Sequence, residues 1–309
     1  MSKAIRNLLL IAAVLIIAGG IIAGIGFASG GMKPVGFGLG GPYIVNADNG
    51  EYVEVNESYS NITELRINID FGEIKLVEGS SFSLTGRYYT RYQTLEISER
   101  NGVLTISGKP FQRNWWSLGW WGFDFGSPFE EELTFTYPKG TVFNSIDISN
   151  SLGSLDIQRL SAQSLRVSLD AGNLNGTSIS VESLNARLSL GNCTIRDLTV
   201  TRNATINMDA GALNLRDVSI HDLTVKNSLG DVTFSGFLTG QARISLDAGS
   251  LRMDLTNTLA TTSYAINTDL GSITLNGQRH GTSARATVPS PTCSLDIKVS
   301  LGGVELNTR

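Results

Sequence analysis

A single-stranded, right-handed β-helix is the fold that this sequence predicts, and three observations predict it. The first is a phrase of small polar residue, Leu or Ala, then Gly. It returns as Ser151-Leu152-Gly153, Asp170-Ala171-Gly172, Ser189-Leu190-Gly191, Asp209-Ala210-Gly211, Ser228-Leu229-Gly230, Asp247-Ala248-Gly249, Asp269-Leu270-Gly271 and Ser300-Leu301-Gly302. The first six glycines are separated by 19, 19, 20, 19 and 19 residues. A fixed period near 20 residues is the signature of a stacked-repeat architecture. The second is a set of apolar columns that appears when the copies are aligned. The third is composition: 34 Gly and only 17% charged residues suit strands joined by tight turns rather than helices.

The columns give the coil. Ile148, Val167, Ala186, Ile206, Val225, Ile244 and Ile266 align, as do Leu155, Leu174, Cys193, Leu213, Val232, Leu251 and Ile273. A third column runs through Ile157, Ile195, Leu215, Phe234, Met253 and Leu275, with Gly176 as its exception. A fourth holds Leu160, Ile179, Leu198, Val218 and Phe237. Apolar residues two apart, in three runs per repeat, imply three short strands around each turn of a solenoid. About eight coils of ~19 residues are expected over residues 146–309, stacked in parallel ~4.8 Å apart.

Before the solenoid the chain divides as follows. Residues 1–7 form a short cytoplasmic N-terminus and residues 8–28 an apolar run, ~31 Å long as a helix and so sufficient to span a bilayer. Lys3 and Arg6 precede the run and only Lys33 follows it closely, which orients the N-terminus inward. A cleaved signal peptide is the alternative reading of the same stretch. Residues 29–50 read as a Gly-rich linker. Residues 51–145 show period-two alternation, as in Leu65, Ile67 and Ile69, with Asn101-Gly102 marking a hairpin. Asp70-Phe71-Gly72 is an early copy of the repeated phrase, so these β-meander strands are expected to join the same sheet system.

Residues 111–129 interrupt the alternation and hold all four tryptophans. Trp115, Trp116, Trp120 and Trp121, with Phe123 and Phe125, are the candidate binding or membrane-contact residues. The competing reading is a cap that folds over an open sheet end.

Gly153, Gly172, Gly191, Gly211, Gly230, Gly249, Gly271 and Gly302 are expected at the solenoid corners, with positive φ. The preceding Ser or Asp is positioned to bond turn amides, and the alternation of Ser with Asp holds successive carboxylates ~9.6 Å apart. Alternating Leu and Ala is expected to fill the corner.

Net charge is −4 with no basic run, which excludes a nucleic-acid footprint. The two cysteines, Cys193 and Cys293, form no disulfide framework, although an oxidising compartment would permit a bridge. No metal-ligand spacing, cofactor fingerprint or catalytic motif occurs. The nearest enzyme-like grouping is Arg196-Asp197 beside Arg216-Asp217, with His221-Asp222 a corner away. Surface ion pairing explains it equally well.

On the strands around Ile67–Leu76, the run Gly102-Val103-Leu104-Thr105-Ile106, the Pro138-Lys139-Gly140-Thr141 turn and the recurring Ser/Asp-x-Gly, the chain resembles the "putative adhesin", or Toastrack, family of bacterial β-strand-repeat proteins. The resemblance covers about residues 55–309 and implies a β-helical extracytoplasmic domain, often attached to a membrane helix. It also implies a role in envelope-stress sensing or surface interaction, and brings no catalytic residue. The resulting expectation is a non-enzymatic, single-pass protein of the bacterial cell membrane. Residues 8–28 would contact the membrane, and an envelope protein, peptide or glycan would be its partner. A surface adhesin or structural spacer, a secreted form and, more distantly, a glycan-processing enzyme are the alternatives.

Overall fold

The computed structural model describes residues 35–38, 41–44, 51–90, 93–110 and 131–309. Residues 8–28, and with them the expected membrane anchor, lie outside this set, as does the tryptophan segment 111–129. Among the described residues no helix is long and apolar enough to cross a membrane. Within the stretch expected as a linker, β1 (Val35–Gly38) and β2 (Gly41–Ile44) form a two-stranded antiparallel ribbon. This ribbon belongs to one compact unit, and residues 51–111 and 131–309 to a second.

The second unit is all-β. It opens with β3 (Tyr52–Tyr59), β4 (Glu64–Phe71), β5 (Glu73–Gly79), β6 (Phe82–Tyr89), β7 (Gln93–Arg100), β8 (Val103–Pro110) and β9 (Glu132–Pro138). The repeats follow as β10 (Val142–Leu152), β11 (Leu155–Gln158), β12 (Ser161–Ala171), β13 (Leu174–Leu190), β14 (Cys193–Ala210) and β15 (Leu213–Leu229). Next come β16 (Val232–Leu238), β17 (Gln241–Ala248), β18 (Leu251–Leu255), β19 (Thr262–Leu270) and β20 (Ile273–Leu275). The chain finishes with β21 (Gln278–His280), β22 (Ser283–Ala286), β23 (Cys293–Leu301) and β24 (Val304–Asn307).

Parallel pairing one coil apart runs through the repeats, and the expected columns coincide with the register. Ile148 pairs with Val167, Val167 with Ala186, Ala186 with Ile206 and Ile206 with Val225. These side chains are buried and form one continuous core. Gly176, the exception in its column, faces a gap already filled. A Cβ there would come within 2.7 Å of Ile179 Cδ1 and 3.1 Å of Ile195 Cγ2.

The stack is longer than the repeats. Strands β4 and β5 pair in parallel with β10 and β11, and β8 and β9 pair in parallel with β4 and β5. Ten layers result, against the eight expected, and they span ~43 Å at the usual strand spacing.

At both ends, order along the chain is not order in space. At the start, the second coil (β8 and β9) lies outside the first. At the finish, β23 pairs with β17 on one side and β19 on the other, and β24 likewise sits between β18 and β20. The last coil of the chain is thus inserted as the penultimate layer. Antiparallel strands then cover the outermost layers: β7 on β8, β6 on β9, β22 on β19 and β21 on β20. Such a cover protects edges that would otherwise template pairing with another chain. The hairpin joining β7 to β8 turns on Asn101 (φ 53°) and Gly102 (φ 78°), the left-handed pair that the Asn-Gly signal demands.

One column slips. The β15–β16 register shifts between Leu215 and Val218, so Val218 pairs with Gly236 and Phe237 with Ser219. Phe237 accordingly turns to solvent, 37% exposed, and Leu238 takes the buried place opposite Ile220. A one-residue slip exchanges the two faces of a strand, which is why the fourth column ends at Val218.

Candidate functional site

Each repeat glycine sits against the glycine of the neighbouring layer. A Cβ on Gly153 would meet Gly72 O at 2.0 Å, and one on Gly172 would meet Gly153 O at 2.0 Å. The ladder continues through Gly191, Gly211, Gly230 and Gly249 to Gly302, with Gly271 outermost and directed at Gly302 O at 1.9 Å. From Gly153 to Gly249, and at Gly302, φ lies between 136° and 156°. Gly271, contrary to expectation, is not among the glycines with positive φ, and it is held to glycine by the Gly302 carbonyl, with Thr268 Oγ1 2.9 Å from a Cβ. Positive φ was legible in the sequence; the carbonyl stack that excludes any side chain was not.

The turn groups are bonded by residues other than the Ser or Asp of the phrase. From inside the core, Asn150 Nδ2 donates to Gly72 O (2.7 Å), Asn227 Nδ2 to Gly211 O and Gly230 O (3.1 Å each), and Thr268 Oγ1 to Gly302 O (3.0 Å). After the glycine, Asn173 Oδ1 accepts from Asn192 N (2.9 Å), Asn192 Oδ1 from Ala212 N (2.9 Å) and Asp231 Oδ1 from Ser250 N (2.8 Å). The ladder therefore runs three positions later than expected, at the residue after the glycine rather than two before it.

The Ser/Asp alternation gains order in space. Along the chain Asp247 is followed by Asp269 and then Ser300. Insertion of the last coil places Ser300 between them, because Ala248 and Leu270 both pair with Leu301. From Asp70 outward the row reads Asp70, Ser151, Asp170, Ser189, Asp209, Ser228, Asp247, Ser300, Asp269, without a repeat.

The adjoining leucines do not fill the corner. Leu152, Leu190, Leu229, Leu301 and Leu270 are 38%, 59%, 59%, 51% and 69% exposed. The chain turns at this point, and two successive residues, as at Ser151 and Leu152, face outward before Leu155 re-enters the core.

The enzyme-like face resolves into separate contacts. Arg196 and Arg216 are paired in register, so two like charges stack. Asp197 and Asp217 adopt positive φ (56° and 55°), and Asp197 Oδ2 accepts from Ser178 Oγ at 2.8 Å. His221 Nδ1 lies 2.9 Å from Thr239 Oγ1, and His280 is exposed on β21. No group of His, Cys, Asp and Glu able to hold a metal occurs among the described residues. Cys193 and Cys293 are free, buried and about four layers apart, ~19 Å by strand spacing, which is beyond disulfide reach.

Along the chain, the tryptophan segment follows β8 and precedes β9, the two strands of an end layer. Its described flanks are Pro110, at the end of β8, and Glu131, whose carbonyl accepts from Glu73 N at 2.8 Å. Glu131 is 3% exposed. Its carboxylate accepts from Tyr89 N (3.0 Å) and from Gln93 Nε2 (2.8 Å), and Gln93 Nε2 also donates to Phe71 O. Loss of hydration raises the Glu131 pKa, and the two hydrogen bonds oppose that rise. Sequence reading missed this buried carboxylate because it takes an inward place that apolar residues hold at Leu133, Phe135 and Tyr137. Trp115, Trp116, Trp120, Trp121, Phe123 and Phe125 themselves lie outside the described residues.

The Toastrack DUF4097 family pattern matches residues 62–292, about three quarters of the chain. The chain belongs to the Toastrack family. That match ends just before β23, so the inserted Toastrack coil lies beyond the family pattern while completing the stack. Among solved structures, a "putative adhesin" of Bacteroides fragilis is similar with a TM-score of 0.50 at 13% identity, covering 83% of this chain and 97% of its own. A "putative lipid binding protein" of Parabacteroides distasonis gives 0.45 at 13% identity, covering 84% and 98%. At this identity the likeness to the Bacteroides fragilis structure is one of fold. No curated protein matches the chain.

Proposed function

We propose that this Toastrack protein is a non-enzymatic, membrane-tethered scaffold of the bacterial cell envelope that binds or senses a partner through residues 111–129. One observation carries the reading: along the chain the aromatic-rich segment follows β8 and precedes β9, the two strands that form an end layer of the stack. Indole rings suit a bilayer interface, a sugar face or an aromatic peptide. The apolar run 8–28 supports the tether, and the weak, surface character of the Arg196–Asp217 face supports a role other than catalysis.

The test is co-sedimentation of the full chain in detergent with anionic liposomes and with cell-wall glycan, repeated after replacing Trp115, Trp116, Trp120 and Trp121 by Ala. Binding should fall at least tenfold; undiminished binding removes the segment from the reading. Recovery of the chain in carbonate-washed membranes, with the solenoid digested only by external protease, is expected for the tether.

A further inference from the structure

The exposed leucines form a line. On the stacked register the residues before the glycines read Phe71, Leu152, Ala171, Leu190, Ala210, Leu229, Ala248, Leu301, Leu270, and the line of leucines and alanines starts at Leu152. The leucines are largely solvent-exposed and the alanines half-buried, so the ridge is notched, with a knob on alternate layers through most of its length. Beside it runs the Ser/Asp row, in which every alanine layer carries Asp and every leucine layer up to Leu301 carries Ser. An apolar line of this length has no counterpart elsewhere on the described surface, where the remaining exposed large apolar side chains are scattered: Tyr52, Val142, Phe237 and Leu259.

We propose that this ridge is the interface for a second copy of the chain, packed with its solenoid axis antiparallel about a two-fold axis that passes between the Ala210 and Leu229 layers. A two-fold at that level sets Ala210 opposite the partner copy's Leu229, Leu190 opposite Ala248, Ala171 opposite Leu301 and Leu152 opposite Leu270. All five leucines are covered, and three of the four pairings seat a leucine in an alanine notch. The polar row complements itself in the same register: Asp209 meets Ser228, Ser189 meets Asp247, Asp170 meets Ser300 and Ser151 meets Asp269. Each carboxylate from Asp170 to Asp269 then faces a hydroxyl donor and never another carboxylate, and Asp70 lies one layer beyond the overlap. A parallel arrangement would set leucine on leucine and carry the two polar rows to opposite sides. Such self-complementarity is what an isologous interface requires. Eight layers at ~4.8 Å give a strip ~34 Å long, lined over its whole length by the leucine–alanine column and the Ser/Asp row.

The inference is independent of the tryptophan segment. It is tested by disulfide trapping of the full chain in detergent micelles. The double variant L190C/A248C brings two cysteines into opposition across the proposed axis, three layers apart within one copy and so unable to pair internally. Native Cys193 and Cys293 are buried and stay silent. Mild oxidation should convert most of the variant to a species of twice 33.1 kDa on a non-reducing gel, whereas L190C alone should give little. Adding L229D should lower the trapped yield at least tenfold with an unchanged melting temperature. Absence of the trapped species, or equal trapping by L190C alone, overturns the proposal. So does vesicle binding by an untrapped chain that L229D abolishes, which would assign the ridge to a lipid surface.

Discussion

Single residues in this molecule are constrained mainly by what lies one layer away. Gly191 shows it best, because both its φ of 140° and the Gly172 carbonyl at 1.9 Å from any Cβ exclude a side chain. Gly191→Ala should therefore lose more than ~3 kcal/mol in chemical denaturation, combining backbone strain with a clash that the stacked neighbours prevent from relaxing. Gly140, at φ 80° in a turn with open space around its Cβ position, is the control, and its alanine variant should lose only ~1 kcal/mol. The two thiols make a second residue-scale case. Burial pushes both Cys193 and Cys293 up to about 12. Neither should react with a thiol reagent at pH 8 until denaturant is added; prompt labelling of the native chain would contradict the packing.

Glu131 carries the pH dependence. Its folded pKa is raised by desolvation, so the folded state holds this proton more tightly than the unfolded chain does. The stabilisation is present in full below the unfolded value of ~4.3 and is lost as pH rises through the folded pKa. Glu131→Gln should flatten the stability profile over that window, as measured by urea midpoints at successive pH values. An unaltered profile would show that the carboxyl is hydrated.

Among elements, the inserted coil has the strongest consequences. Strands β23 and β24 are flanked on both sides, so their amides should exchange as slowly as those of β14. Truncation after Thr292 should expose the edges of β17 and β19 together, giving aggregation or loss of the final layers rather than a trimmed, stable solenoid. Hydrogen exchange read by mass spectrometry checks both.

This is also where legibility ended. The columns were readable because apolar alternation is local and repeats in every coil. Which coil neighbours which was not, because Ile266, Ile273 and Leu275 present the same pattern as Ile297, Val304 and Leu306. A faint cue existed. Read along the chain, Asp247 and Asp269 break the Ser/Asp alternation, and only the inserted Ser300 restores it. The outward leucines were hidden for another reason, since period-two parity fails where two consecutive residues share the outside of a corner. Phe237 was misassigned through a one-residue slip that no composition signal announces. Of the candidate site, the segment 111–129 stands out in the sequence, whereas its buried flank Glu131 becomes apparent only through Tyr89 and Gln93.

At the largest scale, the second unit is a stack whose layers are bound by backbone pairing and one unbroken core. Its surface ion pairs, such as Arg166–Asp147 at 3.1 Å and Arg159–Glu78 at 2.8 Å, bridge neighbouring layers but lie exposed and add ~0–1 kcal/mol each. Raising salt to 1 M should therefore shift the melting temperature by no more than a few degrees, and a collapse in high salt would show that charge rather than burial holds the layers.

The out-of-order layers at the two ends bear on how such a chain changes length over generations. A tandem duplication adds a repeat next to its parent, and between Val142 and Gly249 that neighbour along the chain is also the neighbour in space. Beyond those limits it is not. A repeat appended after β24 would have no seat, because both faces of that coil are taken, and one placed before β4 would have to displace β8. Relatives of different height should accordingly differ by insertions of ~19–20 residues in the middle of the chain, with both terminal arrangements kept intact. The stack grows from its centre.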